Sequence, residues 1–157
     1  MIQLLLGLTK EIFFLLVFVI VAALSVFPIY DIINTEYLLL NIGFGVAFLS
    51  LFRFVLFKKQ VMLLNYLMPE VLLFFLNIVA FFWVVYKIQD IHFLFDNFDI
   101  SFFLKSNEQM ISADKIAEGY HFFKQEFLFI AVGVLVLILV FQFRIIGALL
   151  TRVKKIK

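Results

Sequence analysis

The stretch FLFIAVGVLVLILVFQFRIIGALL, residues 127–150, decides the fold class of this chain. It is almost continuously apolar, and about eighteen such residues are enough to cross the ~30 Å hydrocarbon core of a bilayer as a helix. Its two polar side chains, Gln142 and Arg144, lie toward the carboxyl end, where an arginine can reach the headgroups. A β-barrel strand would alternate in polarity, which this stretch does not. The stretch therefore predicts a transmembrane α-helix.

Three earlier apolar stretches predict an all-α, polytopic membrane protein with four transmembrane helices. Pro28 ends the first stretch, and Pro69 opens the third at the first helical position. Of the 157 residues, 66% are apolar and 15% are charged, against roughly half and a quarter in soluble domains. We expect a single membrane domain, 1–157, with spans at about 12–28, 37–57, 69–87 and 127–150 and an outer loop at 88–126.

The distribution of positive charge predicts the orientation of these spans. Nine of the 13 lysines and arginines, Lys58 and Lys59 among them, lie near the amino terminus, the link between spans 2 and 3, or the carboxyl terminus. The other side carries four cations and nine of the 11 acids. Because positive residues stay on the cytoplasmic side, we expect both termini in the cytoplasm. The 24 phenylalanines are typical of an AT-rich genome, and the expected location is a bacterial inner (plasma) membrane.

The outer loop 88–126 is long for so small a chain, and loops of this length are usually functional or disordered. Its first half has apolar residues at helical spacing, with His92, Asp96 and Asp99 on the opposite side, which predicts an amphipathic helix. After a turn near 106–108, a second apolar stripe leads into span 4. One helix about 57 Å long is therefore predicted from Ala113 to Leu150. We expect the loop to be an ordered, projecting surface.

A surface with aromatic and acidic faces suits the docking of another protein. The predicted function is that of a non-catalytic integral membrane subunit or scaffold of a larger complex, which docks its partners through the outer loop. Those partners would be other membrane or periplasmic subunits. The predicted partner-binding residues are Phe93, Phe98, Phe102, Phe103, Tyr120 and Phe122.

Two alternatives stay open. A channel or transporter component would form a pore between copies, lined by Asn41 and Asn77. A membrane-embedded, lipid-modifying enzyme would need polar residues of the outer loop to converge, in the manner of a zinc or manganese site. The residues required for that site are His92, Asp96, Asp99, Glu118 and His121, and the predicted intramembrane polar residues are Asn41, Glu70, Asn77 and Gln142.

Several activities lack their usual residues in this sequence. There is no cysteine, hence no disulfide, thiolate nucleophile or thiolate metal site. No histidine lies in a predicted span, so a haem held by two histidines in the bilayer has no ligands. Phosphate-binding glycine loops and the HExxH and GxSxG motifs are also missing. We therefore predict that the protein has no enzymatic activity, cofactor or metal and does not bind nucleic acid. Its predicted non-protein partner is the lipid bilayer.

Overall fold

The computed structural model describes residues 2–57, 67–105 and 112–156. Within them the chain forms four α-helices and two short 3₁₀ helices, Phe27–Ile29 and Ile100–Phe103, which confirms the predicted all-α class. The predicted turn at 106–108 and the lysines Lys58 and Lys59 lie outside these residues. The α-helices are α1 (Ile2–Ser25), α2 (Thr35–Leu56), α3 (Leu67–Asn97) and α4 (Ala113–Ile156).

Three stretches of these helices are long and apolar enough to cross a membrane: Thr35–Leu56 of α2, Glu70–Asn97 of α3 and Ala113–Thr151 of α4. Their outward faces carry large apolar side chains, such as Phe75 (61% exposed) and Phe129 (75% exposed). A water-soluble bundle would present polar side chains there, so these faces match a lipid environment. The chain thus has the build of a multi-pass membrane protein.

Helix α4 lies at the centre of the bundle, with α2 packed on one side and α3 on the other, while α1 packs against α2. The buried residues of α4 recur every three or four positions, which places them on a common helical face. That series consists of Phe123, Phe127, Ala131, Val134, Ile138, Phe141 and Ile145.

Two helices extend well beyond the predicted spans. Helix α3 continues to Asn97 rather than ending near residue 87, so the predicted amphipathic helix is the last part of α3. No proline or glycine lies between Glu70 and Asn97, so no helix-breaking residue interrupts α3 in this range. The predicted start of α4 at Ala113 is confirmed, and with 44 residues the helix is about 66 Å long.

The described residues of the link between α1 and α2 and of the link between α3 and α4 lie at the same end of the bundle. There the backbone N–H of Asn34 donates to the carbonyl of Phe103 (2.8 Å), and that of Lys105 donates to the carbonyl of Ile32 (3.0 Å). Ile33 and Leu104 form an antiparallel bridge between these bonds. We call residues 26–34, 88–105 and 112–126 the cap, and the opposite end of the bundle the tail end.

Candidate functional site

The cap has a hydrophobic core of its own that continues into the core of the bundle. Phe95 of α3 and Phe103 of the second 3₁₀ helix have ring centroids 5.1 Å apart, and the ring of Phe103 lies 5.5 Å from that of Tyr120 on α4. Phe123 and Phe127 extend this aromatic cluster down α4 and are both fully buried. Such packing, added to the backbone bonds between the links, makes the cap an ordered part of the fold.

The structure divides the six predicted partner-binding residues into two groups. Phe103 is fully buried and Tyr120 is 6% exposed, so both support the cap from within and neither offers a surface to another protein. The other four are accessible, and the ring of Phe98 packs at a tilt against that of Phe102, with centroids 4.6 Å apart. The exposed fractions are 59% for Phe93, 44% for Phe98, 44% for Phe102 and 43% for Phe122.

The separation of buried from exposed aromatic residues could not be predicted from the sequence, because helical spacing alone does not show which aromatic side chains a neighbouring segment covers. The 3₁₀ helix turns Phe103 into the cap core while leaving Phe102 outside, although the two residues are adjacent in the chain.

Charged and polar side chains share the exposed surface of the cap with these phenylalanines. His92 Nδ1 lies 2.8 Å from Asp96 Oδ2, one helical turn along α3. Lys87, directly before the cap residues of α3, has its Nζ 3.4 Å from Asp90 Oδ2 on the same helix. In the part of the chain that the structure describes, no three His, Cys, Asp or Glu side chains come close enough to hold a metal ion. The structure thus brings His92 and Asp96 together without gathering the wider group that a metal enzyme would need.

A groove of ≈ 520 Å³ runs along the cap between the first link and α4. Gly119 lies in its floor, where an added Cβ would come within 2.6 Å of Ile32 Cδ1. Glycine at this position allows the link to approach α4 closely, and α4 continues through it unbroken. The groove is lined by Pro28, Ile29, Ile32, Lys115, Glu118, Gly119 and Phe122.

Two of the predicted intramembrane polar residues meet each other. Asn77 Nδ2 donates to Gln142 Oε1 (2.8 Å) and to the backbone carbonyl of Ile138 (2.9 Å), which joins α3 to α4. Gln142 Nε2 in turn lies 3.4 Å from the carbonyl of Phe74. Polar groups in lipid need such partners because no water is present to replace them. Both amides therefore serve helix packing within one chain.

Asn41 is paired with a residue that the sequence placed in the outer loop. Its Nδ2 donates to Glu126 Oε2 (3.0 Å) across the interface between α2 and α4, and Asn41 is 1% exposed. Asn41 Oδ1 is buried without a hydrogen-bond partner among the described residues. Because α4 begins far before the predicted span 4, Glu126 belongs to the same helix as the span and faces the bundle. The apolar stripe through Tyr120, Phe123 and Phe127 predicts that continuity from the sequence, but it does not predict the pairing with Asn41.

Charged residues are also buried toward the tail end. Glu70, in the first turn of α3, is fully buried. Arg53 of α2 is 8% exposed, and its two terminal nitrogens meet the Glu11 carboxylate of α1 at 2.5 and 3.1 Å. Arg53 and Glu11 are not among the site residues predicted from the sequence. A usable signal was present, since opposite charges occur near the same end of spans 1 and 2.

Comparison with known proteins identifies no relative of this chain. No protein family model, no curated protein and no solved structure matches this chain.

Proposed function

We propose that this protein is a non-catalytic integral membrane subunit that docks a partner protein through the exposed surface of its cap. In this proposal all four helices span a bacterial inner membrane, with both termini in the cytoplasm and the cap outside. The partner is another membrane or periplasmic subunit of the same complex.

The observation that carries the proposal is a row of exposed apolar side chains that leaves the apolar part of α3 and enters the polar cap. Phe82 is 66% exposed, Tyr86 60% and Phe93 59%, at spacings of four and seven residues, so they share one helical face. Lys87, Asp90 and His92 show that the chain has reached polar surroundings at this level.

Lipid tails cover the lower part of such a row, whereas the part beside charged residues needs another cover. Phe98 and Phe102 form a second exposed aromatic pair just after the end of α3, and both are nearly half exposed. Aromatic anchors surrounded by polar side chains are typical of protein interfaces. The ordered core beneath them favours binding, because a rigid surface loses little conformational freedom when a partner docks.

Neither alternative has a specific observation in its favour. Asn41 and Asn77, the residues expected to line a pore between copies, are buried and hydrogen-bonded within one chain. A pore would have to use other side chains. The enzyme alternative would need more converging groups than the pair of His92 and Asp96.

The test is extraction of the native protein in mild detergent, followed by native mass spectrometry of the material that co-purifies with it. We expect a defined heteromeric complex. Phe98→Glu and Phe122→Glu should each lower the amount of partner about tenfold or more, since a charge cannot replace an aromatic anchor in a dry interface.

Phe98→Leu and Phe122→Leu are the matched controls, because they keep an apolar side chain and should retain most of the partner. Thermal unfolding of all four variants should resemble that of the natural protein, since both phenylalanines are exposed. A complex that survives both charged variants unchanged would show that the docking surface lies elsewhere.

A further inference from the structure

Helices α1 and α2 enclose an apolar cleft near the tail end of the bundle, far from the cap. Its volume is ≈ 310 Å³, and one of its walls is a charged side chain. The cleft is lined by Phe14, Phe18, Leu49, Phe52, Arg53 and Phe57.

The guanidinium of Arg53 is held in place at this cleft. Glu11 pairs with both of its terminal nitrogens, and the guanidinium carbon lies 3.9 Å from the centre of the Phe14 ring. A paired, stacked arginine is far less costly in a membrane than a lone one. The arrangement fixes the position of Arg53 without any external partner.

Arg53 nevertheless keeps hydrogen-bonding capacity. A guanidinium has five N–H donors. Two hydrogen bonds reach Glu11, and Arg53 side-chain donors make no other hydrogen bond within residues 2–57, 67–105 and 112–156. The cleft that Arg53 lines is otherwise apolar, so a ligand that satisfies these donors must carry acceptors at one end and hydrocarbon at the other.

The polarity of the cleft changes along its length in the same way as that of a lipid. Glu11 and Arg53 lie toward the tail end, whereas Phe18 and Leu49 lie deeper in the bundle. Leu49 lies on α2 and Phe57 directly follows the helix eight residues later, which corresponds to about 12 Å along the helix axis. The charged group is therefore near headgroup level, and the aromatic walls extend toward the middle of the bilayer.

From this geometry we propose that the cleft is a specific phospholipid site. One acyl chain occupies the space between Phe14, Phe18 and Leu49, and the phosphate accepts hydrogen bonds from Arg53. Arginine suits this role because its planar fork matches phosphate oxygens and it stays charged. The Glu11 partner neutralises Arg53, so the site selects the phosphate itself rather than a net negative lipid. This inference does not depend on the partner proposed for the cap.

The phosphate contact is what distinguishes this site from ordinary lipid solvation. Inside a bilayer, an acyl chain gains little by exchanging lipid neighbours for apolar side chains. A lipid without phosphate should therefore bind the cleft no better than any other part of the bundle surface.

The experiment is native mass spectrometry of the purified full chain with two probes of equal chain length, dioleoylphosphatidylcholine and dioleoylglycerol. Phosphatidylcholine has no net charge, so the lysines and arginines near the carboxyl terminus cannot attract it by charge alone. We expect one tightly retained phosphatidylcholine and no retained dioleoylglycerol. Equal retention of the two probes would overturn the proposal.

Two variants locate the site. Leu49→Trp fills the cleft, and the paired change Glu11→Gln with Arg53→Gln removes the guanidinium without stranding a buried carboxylate. Each should weaken phosphatidylcholine binding, the paired change by about 10- to 100-fold in Kd, the range expected for lost charge-assisted hydrogen bonds.

Val79→Trp is the control, because Val79 is 66% exposed on the outer face of α3 and its substitution should leave binding unchanged. Thermal unfolding in detergent identifies any variant that fails to fold. If one of the two cleft variants does not fold, the other is sufficient to test the site. A folded cleft variant that binds phosphatidylcholine as tightly as the natural protein does would overturn the proposal.

Discussion

At the scale of single residues, the amides inside this bundle join helices. Asn77 and Gln142 each donate to the other helix, and Asn77 also reaches the carbonyl of Ile138. A hydrogen bond between membrane helices contributes about 0.6–2 kcal/mol, because its alternative in lipid is an unsatisfied polar group. The same residue types that could line a pore therefore stabilise the contact of α3 with α4.

We predict that Asn77→Leu lowers the free energy of unfolding by about 0.6–2 kcal/mol, measured by denaturation with SDS in mixed micelles. Gln142→Leu should do the same, and the double variant should lose less than the sum, since each single change already breaks the hydrogen bond that the two amides share. If the losses in the free energy of unfolding from the two single changes added up in the double variant, the two side chains would not interact. Asn77→Leu should also leave any ion flux in liposomes unaffected, since Asn77 is engaged within the chain.

The sequence identifies polar residues within the spans, but it does not identify the residues to which they hydrogen-bond. Asn41, Asn77 and Gln142 stand out by themselves, because polar side chains are rare in apolar stretches. Their pairings join positions 65 residues apart for Asn77 with Gln142 and 85 apart for Asn41 with Glu126. No local pattern encodes that register, which the packing of whole helices determines. Glu126 was therefore missed although its partner was not.

At the scale of helices, α1 is the element with the least support, since it packs mainly against α2. Gly45 of α2 allows this approach: a Cβ added there would lie 3.0 Å from Ala22 Cβ and 3.8 Å from Ala22 Cα. Small residues at such points let two membrane helices come close and gain dispersion contacts. The pair of Glu11 and Arg53 holds the same two helices nearer the tail end.

We predict that Gly45→Leu destabilises the fold by about 1–3 kcal/mol, the usual cost of overpacking a close contact. Gly43→Leu is the matched control, two residues away on the same helix, because a Cβ at Gly43 meets nothing within 4 Å. Unfolding of both variants in SDS micelles provides the comparison. Equal stability of the two would mean that α1 does not approach α2 at Gly45.

The helices themselves were largely predictable, and their ends were less so. Apolar length predicts α2, α3 and α4, but it also predicts that a helix ends near Tyr86, where the apolar run ends. A helix ends where its backbone is interrupted or capped, and the stretch after Tyr86 has neither proline nor glycine. Its later residues stay helical because Ile91 and Phe95 are buried in the cap core. Tertiary burial, invisible in a hydropathy profile, extends α3 to Asn97.

At the scale of the whole molecule, the fold and the charge distribution describe the same two ends. The cap joins both links at one end, so the two termini lie toward the other, as expected for helices that alternate in direction. By the spans predicted from the sequence, the side of the outer loop has four cations against nine acids, and the side of the two termini has nine cations against two acids. Because positive charge is usually retained in the cytoplasm, this difference is the basis of the proposal that the cap lies outside.

We predict that Ser112→Cys is labelled by a membrane-impermeant maleimide in right-side-out vesicles, whereas Thr9→Cys and Thr151→Cys are labelled only in inside-out vesicles. All three positions are exposed, and the chain has no cysteine, so each variant carries a single thiol. Labelling of Ser112 and Thr151 from opposite sides tests the crossing of α4, and the side on which Thr9 reacts tests whether α1 spans. Should Thr9→Cys react on the same side as Ser112→Cys, α1 lies on the outer surface and the protein has three spans. Should all three sides be reversed, the cap faces the cytoplasm, and its partner must be sought there.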